Sequence, residues 1–198
     1  GLGDVYKRQM FELRQQLTGH VFWVVFAISL AMVLGSVGVD ALRVGLTSAG
    51  LRNGAEVIVQ THLVWTLFFM FTTAAFVADA VLRDELVGFA PVLDAMAVRR
   101  RDLVFGRFTG AFAAVLLCFA SVPIGIVAGA AMPWVTPDTV GPIQSFAFAF
   151  AFGVMAVPNL LLSASLGFAL ATLGRSLAAA MVGAVLLLML YGLGAVSY

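Results

Sequence analysis

Charge is scarce in this chain. Asp, Glu, Lys and Arg make up 11% of its 198 residues, against about a quarter of an ordinary soluble domain. A surface held in water by ionic groups is therefore excluded. The single cysteine, Cys118, excludes an internal disulfide. It falls inside an apolar run, where cysteine acts as a small apolar residue. The two histidines, His20 and His62, fall at opposite ends of predicted helices, and no His, Cys or Glu group has the spacing of a metal site. H-E-x-x-H is missing, and so is a phosphate-binding G-x-x-x-x-G-K, since the one lysine is Lys7. The residues thus offer no catalytic group, no metal site and no cofactor site, and the segment cannot hydrolyse ATP by itself. A net charge of +1 leaves no basic field to recognise nucleic acid.

What is present is apolar sequence, 62% of the chain. Runs of about 20 such residues cross a hydrocarbon core of about 30 Å at about 1.5 Å per residue. Five are predicted, at about 21–39, 63–82, 108–132, 146–173 and 176–196. A short amphipathic stretch, Met10 to His20, precedes the first, which is too long for a signal-peptide core and is followed by four more spans. Gly1 to Gln9 (GLGDVYKRQ) resembles translated sequencing-adapter read-through and is set aside as an artefact. With Tyr198 closing an apolar run, the chain is expected to be a fragment of a longer protein, with residues 10–198 a partial transmembrane domain.

Phe146 to Gly153 (FAFAFAFG) alternates like a strand, but the apolar run goes on for another 20 residues, too long for one strand. As a helix it stacks Phe146 over Phe150 and Phe148 over Phe152 on nearly opposite faces, a distribution that suits lipid contact all round. Pro123 and Pro158 each remove a helix hydrogen bond, to the carbonyls of Phe119 and Val154, and are expected to kink their helices. Ser121 near the first, and Ser163 or Ser165 near the second, could satisfy the freed backbone groups. Gly106-x-x-x-Gly110 and Gly125-x-x-x-Gly129 permit close helix approach, a motif that 20 glycines produce readily by chance. Asp79 lies one turn from Arg83, and the reading of the pair is an interfacial i,i+4 contact.

Arginine sets the orientation. With the N-terminus inside, Arg14, Arg83, Arg99, Arg100, Arg101, Arg107 and Arg175 are cytoplasmic, and only Arg43 and Arg52 are outside. The loop Pro133 to Ser145, without Lys or Arg, is then external. The longest cytoplasmic segment, Arg83 to Arg107, carries Leu86, Phe89, Leu93 and Met96 at helical spacing beside Asp84, Glu85 and Asp94, with Pro91 placed to start a short helix. Its composition suits two roles equally: a headgroup anchor whose Arg99 to Arg101 meet anionic membrane lipid, or a docking element for a cytoplasmic partner.

Several short motifs, in order, resemble the exporter-type (type 2) permeases of ABC transporters. They are Phe11-Glu12-Leu13-Arg14 before the first span and Arg52-Asn53-Gly54-Ala55 before the second, where relatives tend to carry Asn-Ala-Pro. In the loop and third span they are Arg83-Asp84, Ala90-Pro91-Val92 and Phe105-Gly106-Arg107-Phe108-Thr109-Gly110. Further on stand Pro158-Asn159-Leu160-Leu161 and Gly174-Arg175-Ser176, then Tyr191. The likeness covers essentially Met10 to Tyr198. It is nearest to the amino-terminal part of large bacterial permeases that carry a zinc aminopeptidase-like domain downstream, none of which is present here.

The resemblance implies an all-α integral membrane fold: five transmembrane helices of a six-helix ABC permease half, with a cytoplasmic coupling helix. It implies a second permease half, and a separate ATPase subunit on which ATP is bound and hydrolysed. It places Arg83, Asp84, Glu85, Phe89, Pro91, Arg99, Arg100 and Arg101 at or near the ATPase contact, which turns the loop's two readings toward docking. The expected function is that of a non-enzymatic permease subunit of an ATP-driven export system, in the bacterial inner membrane with a cytoplasmic N-terminus. The competing expectation is a non-transporting membrane anchor for a downstream enzymatic domain.

Overall fold

A computed structural model describes residues 2–39, 51–86 and 100–196, with side chains over 9–39, 51–83 and 104–194. The described residues are almost entirely helical, with no strand among them. In chain order the elements are α1 (Leu2–Thr18), α2 (His20–Gly38), α3 (Ala55–Leu86), α4 (Arg100–Phe119), α5 (Ser121–Ala130) and α6 (Ser145–Ala149). A π-helical segment (Phe150–Ala156), α7 (Val157–Gly174) and α8 (Leu177–Val196) complete them. A 3₁₀ turn, Pro137–Thr139, lies between α5 and α6. Among the described residues five stretches are long and apolar enough to cross a membrane: His20–Gly38, Ala55–Arg83, Val104–Ala130, Ser145–Gly174 and Leu177–Gly194. Their outward side chains are apolar as well, Phe146 being 83% and Leu173 81% exposed. Helices apolar on every face suit lipid rather than water.

The second span starts eight residues before the predicted Leu63, because its polar first turns are helical too. Glu56 sits in the first turn, where a carboxylate meets the positive helix end, and it accepts a hydrogen bond from Gln60 at 3.1 Å. His62 and Thr66 turn their polar atoms back onto the helix, Nδ1 to the Ile58 carbonyl at 2.7 Å and Oγ1 to the His62 carbonyl at 2.6 Å. Hydropathy undercounts such self-satisfied residues. His62 is accordingly not at a span end but wholly buried within α3.

Both prolines coincide with breaks in regular α-helix. α4 stops at Phe119 and α5 starts at Ser121, with Ile124 N–H reaching the Ala120 carbonyl at 3.3 Å. Upstream of Pro158 the helix widens to the π form from Phe150, and Val157 N–H bonds the Phe152 carbonyl. The serines do not perform the expected repairs. Ser121 meets Ser29 of α2 at 2.7 Å, Ser163 donates to the Met70 carbonyl at 3.3 Å, and Ser165 donates to the Leu161 carbonyl at 2.8 Å. Cross-helix partners, invisible in a linear sequence, took two of the three.

The chain divides into two compact units, one of Gly1–His20, Phe69–Leu116 and Leu160–Tyr198, the other of Val21–Phe68 and Leu117–Asn159. In the first, α3, α7 and α8 meet through alanines: Ala74 and Ala78 against Ala171, Ala180 and Ala184. A second cluster joins Val77 and Ala80 to Ala111 and Ala164, beneath Phe108, Phe112 and Phe168. Small side chains bring backbones close where lipid offers no hydrophobic drive to associate. Between α7 and α8, Arg175 takes a left-handed φ of 44°, and Ser176 Oγ caps α8 by accepting Ala179 N–H at 3.2 Å.

In the second unit α2 buries Phe22, Ser29, Val33 and Val37 along one stripe. Against it lie Gly125 and Gly129, so this Gly-x-x-x-Gly is a packing motif. A Cβ at Gly125 would sit 2.8 Å from Val33 Cβ, and one at Gly129 2.8 Å from the Leu34 carbonyl oxygen. The Phe146–Gly153 pattern is helical as expected, but its faces differ. Phe146 stacks on Phe150 and is exposed, whereas Phe148 and Phe152 pack against His62. Lipid contact all round is thus replaced by one open and one packed face. Gly125→Ala should lower stability by about 1–3 kcal/mol through overpacking. Gly192→Ala, where an added Cβ meets nothing within 4 Å, should be neutral or stabilising by up to about 1 kcal/mol. Thermal unfolding of both variants in lipid nanodiscs checks the pair.

Candidate functional site

Of the loop residues expected to contact an ATPase, Arg83 is the one whose side chain is described. Phe89, Pro91 and Arg99 lie outside the described residues. Asp84, Glu85, Arg100 and Arg101 belong to helix ends whose side chains are not described. Residues 87–99 of the expected coupling loop, Arg83 to Arg107, lie outside the described residues.

Arg83 is the centre of a polar cluster in the first unit. Its Nη2 donates to Asp79 Oδ2 one turn back, the expected i,i+4 pair, and its Nη1 donates to Glu12 Oε2 of α1 at 3.1 Å. Gln16, one turn beyond Glu12, donates from Nε2 to Asp79 Oδ2 at 3.3 Å and to the Phe76 carbonyl at 3.2 Å. Gly110 of α4 adjoins the same place, since a Cβ there would lie 2.6 Å from Glu12 Cβ. The helix α1 therefore turns part of its polar surface inward, while Arg14 and Thr18 are exposed. Glu12 and Gln16 are buried, while Met10 and Phe11 point outward at 48% and 64% exposure. At a membrane interface Met10 and Phe11 suit contact with lipid and Arg14 contact with headgroups.

Burial pushes the Glu12 carboxyl above its ordinary 4.5, and the attraction of Arg83 and Arg107 only partly offsets this. Desolvation prevails because the carboxylate has given up its water, while Arg83 is shared with Asp79. This cluster holds no nucleophile and base in reach of each other, and no group of three metal-ligating side chains occurs among the described residues. It joins α1 to the last turns of α3.

The second unit holds two polar constructions that hydropathy and motif reading missed. Arg52, expected in an outside loop, is only 6% exposed. It donates from Nη1 to the Val37 carbonyl at 2.8 Å and from Nε to Thr139 Oγ1 at 3.0 Å. Trp134 Nε1 donates to the Gly38 carbonyl at 3.1 Å. Together they satisfy carbonyls at the end of α2, where a cation also complements the helix dipole. Asn53 exchanges two bonds with Gly141, Nδ2 to its carbonyl at 2.6 Å and its N–H to Oδ1 at 2.7 Å.

The other construction is His62. Its ring is surrounded edge-on by Phe119, Phe148 and Phe152, with centroids 5.9, 6.3 and 6.5 Å away. A carbonyl only accepts, so the 2.7 Å contact with Ile58 places a proton on Nδ1 and leaves Nε2 as a lone-pair acceptor in the neutral ring. Among the described residues Nε2 has no hydrogen-bond partner. A buried polar span residue was signalled in the sequence only by a histidine within helical reach of Leu63; its cage was not.

No family model matches the chain, and neither a curated protein nor a solved structure matches it. The fold defines the class: an all-helical protein whose five apolar helices are compatible with a multi-pass membrane protein.

A carboxyl whose pKa is higher in the folded state binds more protons there than when unfolded. Its contribution is full below pH 4.5 and is lost as pH rises through the folded value. The stability of Glu12→Gln relative to the native chain should therefore shift in the variant's favour as pH rises from 4.5. Denaturation midpoints measured from pH 4 to pH 8 check the sign.

Proposed function

We propose that this chain is a transmembrane permease subunit of an ATP-driven ABC export system. It forms part of a translocation path with a second permease half and couples to a separate ATPase. The reading includes a bacterial inner membrane and a cytoplasmic N-terminus. It rests on the ordered motifs, and the observation that carries it is where charge lies in the spans. Their acidic and basic side chains are Glu56, Asp79, Arg83 and Arg107, all toward helix ends. Carriers driven by an ion gradient hold ionisable groups within the membrane. His62, the histidine deepest within a described span, has phenyl rings as its ring neighbours and no carboxylate partner among the described residues.

Energy then enters from outside the membrane, and the loop from Arg83 to Arg107 is the element offered to an ATPase. Arg83, bonded to both Glu12 and Asp79, passes a displacement of that segment to α1 as well as α3. The test is co-purification of the complete protein with the ATP-binding cassette ATPase encoded beside it. The pair should associate, and reversing the charge of Arg99, Arg100 and Arg101 together should cut the complex's ATPase rate by about tenfold or more. That is the loss of at least about 1.4 kcal/mol of coupling. Failure to associate, or an unchanged rate in a folded variant, leaves the membrane-anchor reading instead.

A further inference from the structure

The outer side of α1 is a surface that the proposed coupling leaves unused. Met10, Phe11, Arg14 and Thr18 stand at i, i+1, i+4 and i+8, on one side of the helix, and all four are exposed. Glu12 and Gln16 stand on the opposite side and are buried. Gly19 N–H closes α1 onto the carbonyls of Gln15 and Gln16 at 3.2 and 3.1 Å, and the first span begins at the next residue, His20. Chain continuity thus holds this side at the level where the protein enters lipid.

Uncompensated charge there is of one sign. Arg14 has no ion-pair partner among the described residues, whereas Arg83 is bonded to both Glu12 and Asp79. The described charged residues of this unit are Glu12, Arg14, Asp79, Arg83, Arg107 and Arg175, four cations against two anions and so net +2. Both anions are engaged by Arg83. In the other unit the described charges are Arg52, Glu56 and Asp138, net −1.

We infer that the outer side of α1 is a docking surface for anionic phospholipid of the surrounding leaflet, with Arg14 on the headgroup phosphate and Met10 and Phe11 among the upper acyl carbons. An amphipathic helix in the interface plane binds through this pairing of buried apolar area with attraction to anionic lipid. A zwitterionic lipid offers the same phosphate, but its ammonium finds no open carboxylate: Glu12 is turned inward, and Asp79 is bonded to Arg83. A free anion in solution would leave Met10 and Phe11 in water. The inference does not depend on whether the chain transports anything.

The test uses the full chain in nanodiscs of equal parts phosphatidylcholine and phosphatidylglycerol. Lys7 and Arg8, in the stretch set aside above, are replaced by Gln throughout so that they add no charge. Thr18→Cys carries a bimane fluorophore, and the buried Cys118 stays unlabelled. A small fraction of one lipid at a time bears a nitroxide high on its acyl chain, so that quenching reports which lipid stands beside α1. Labelled phosphatidylglycerol should quench about fivefold more effectively than labelled phosphatidylcholine, the preference that one arginine near a membrane surface gives. Arg14→Gln should bring the two lipids to parity, and salt at about 1 M should remove most of the preference. Phe11→Ser should weaken quenching by both lipids alike. Arg175→Gln, on the exposed turn between α7 and α8, should leave the preference intact. Equal quenching by the two lipids when Arg14 is present overturns the inference, and so does a preference that survives Arg14→Gln. Quenching by neither lipid, the result if a second copy or a soluble protein covers α1, overturns it as well. Loss of the preference on adding millimolar glycerol phosphate would assign Arg14 to a free anion rather than to the bilayer, and would also sink it.

Discussion

Side chains such as Phe146, Leu173 and Leu193 cover the outside of these helices, so polar groups have to be satisfied from within the protein. In lipid no water stands ready to bond a stray N–H or C=O. Most of the polar contacts described here answer that demand. Threonine and serine hydroxyls fold back onto carbonyls of the preceding turn, as Thr109 does on Phe105 and Thr172 on Phe168. Arg52 and Trp134 meet the carbonyls at the end of α2. Ser29 already donates to the Val25 carbonyl at 2.8 Å, so its contact with Ser121 is completed by the Ser121 proton. Where a proline removes an N–H, the backbone breaks or widens in place.

The same constraint gives the ionic cluster its form. Glu12, Asp79 and Arg83 gather where α1 meets α3, and the arginine serves two carboxylates at once. Burial still leaves Glu12 harder to ionise than a carboxyl in water. A salt bridge in such a place contributes less to net stability than to position, because desolvation consumes much of the Coulombic gain. Position is what the proposed coupling requires. Close helix approach at Gly125 and Gly129, and at Ala74 against Gly167, supplies the dispersion contacts that hold the spans where hydrophobic drive is weak.

Much of the fold was legible as hydropathy. Span counts and approximate limits follow from run length, and the helical reading of Phe146 to Gly153 follows from the apolar sequence continuing past it. Legibility failed at residues whose meaning depends on a partner far along the chain. Ser121 looked like a local repair for Pro123 and is bonded to a residue 92 positions away. Arg52 entered only as one of the two outside arginines and as part of a short motif, and its burial against α2 was not read. The amphipathic stretch around Met10 was recognisable, but not that Glu12 and Gln16 face the protein while Met10 and Phe11 do not, since the sequence does not say which solvent surrounds each face. Of the candidate site, the Asp79–Arg83 pair was readable because both residues share one helix; Glu12, 71 residues from Arg83, was not.

By itself the sequence determined the helical character of the described residues and the five helices among them suited to a membrane. Run length and the near absence of charge are local properties and need no partner. Only the tertiary structure decided which polar residues are buried, which glycines touch, and that His62 stands inside a ring of phenylalanines drawn from two distant segments. Those are contacts between helices apolar on nearly every face. An almost uniform hydropathy pattern does not specify which face meets which, so packing shape and a few polar matches make the choice.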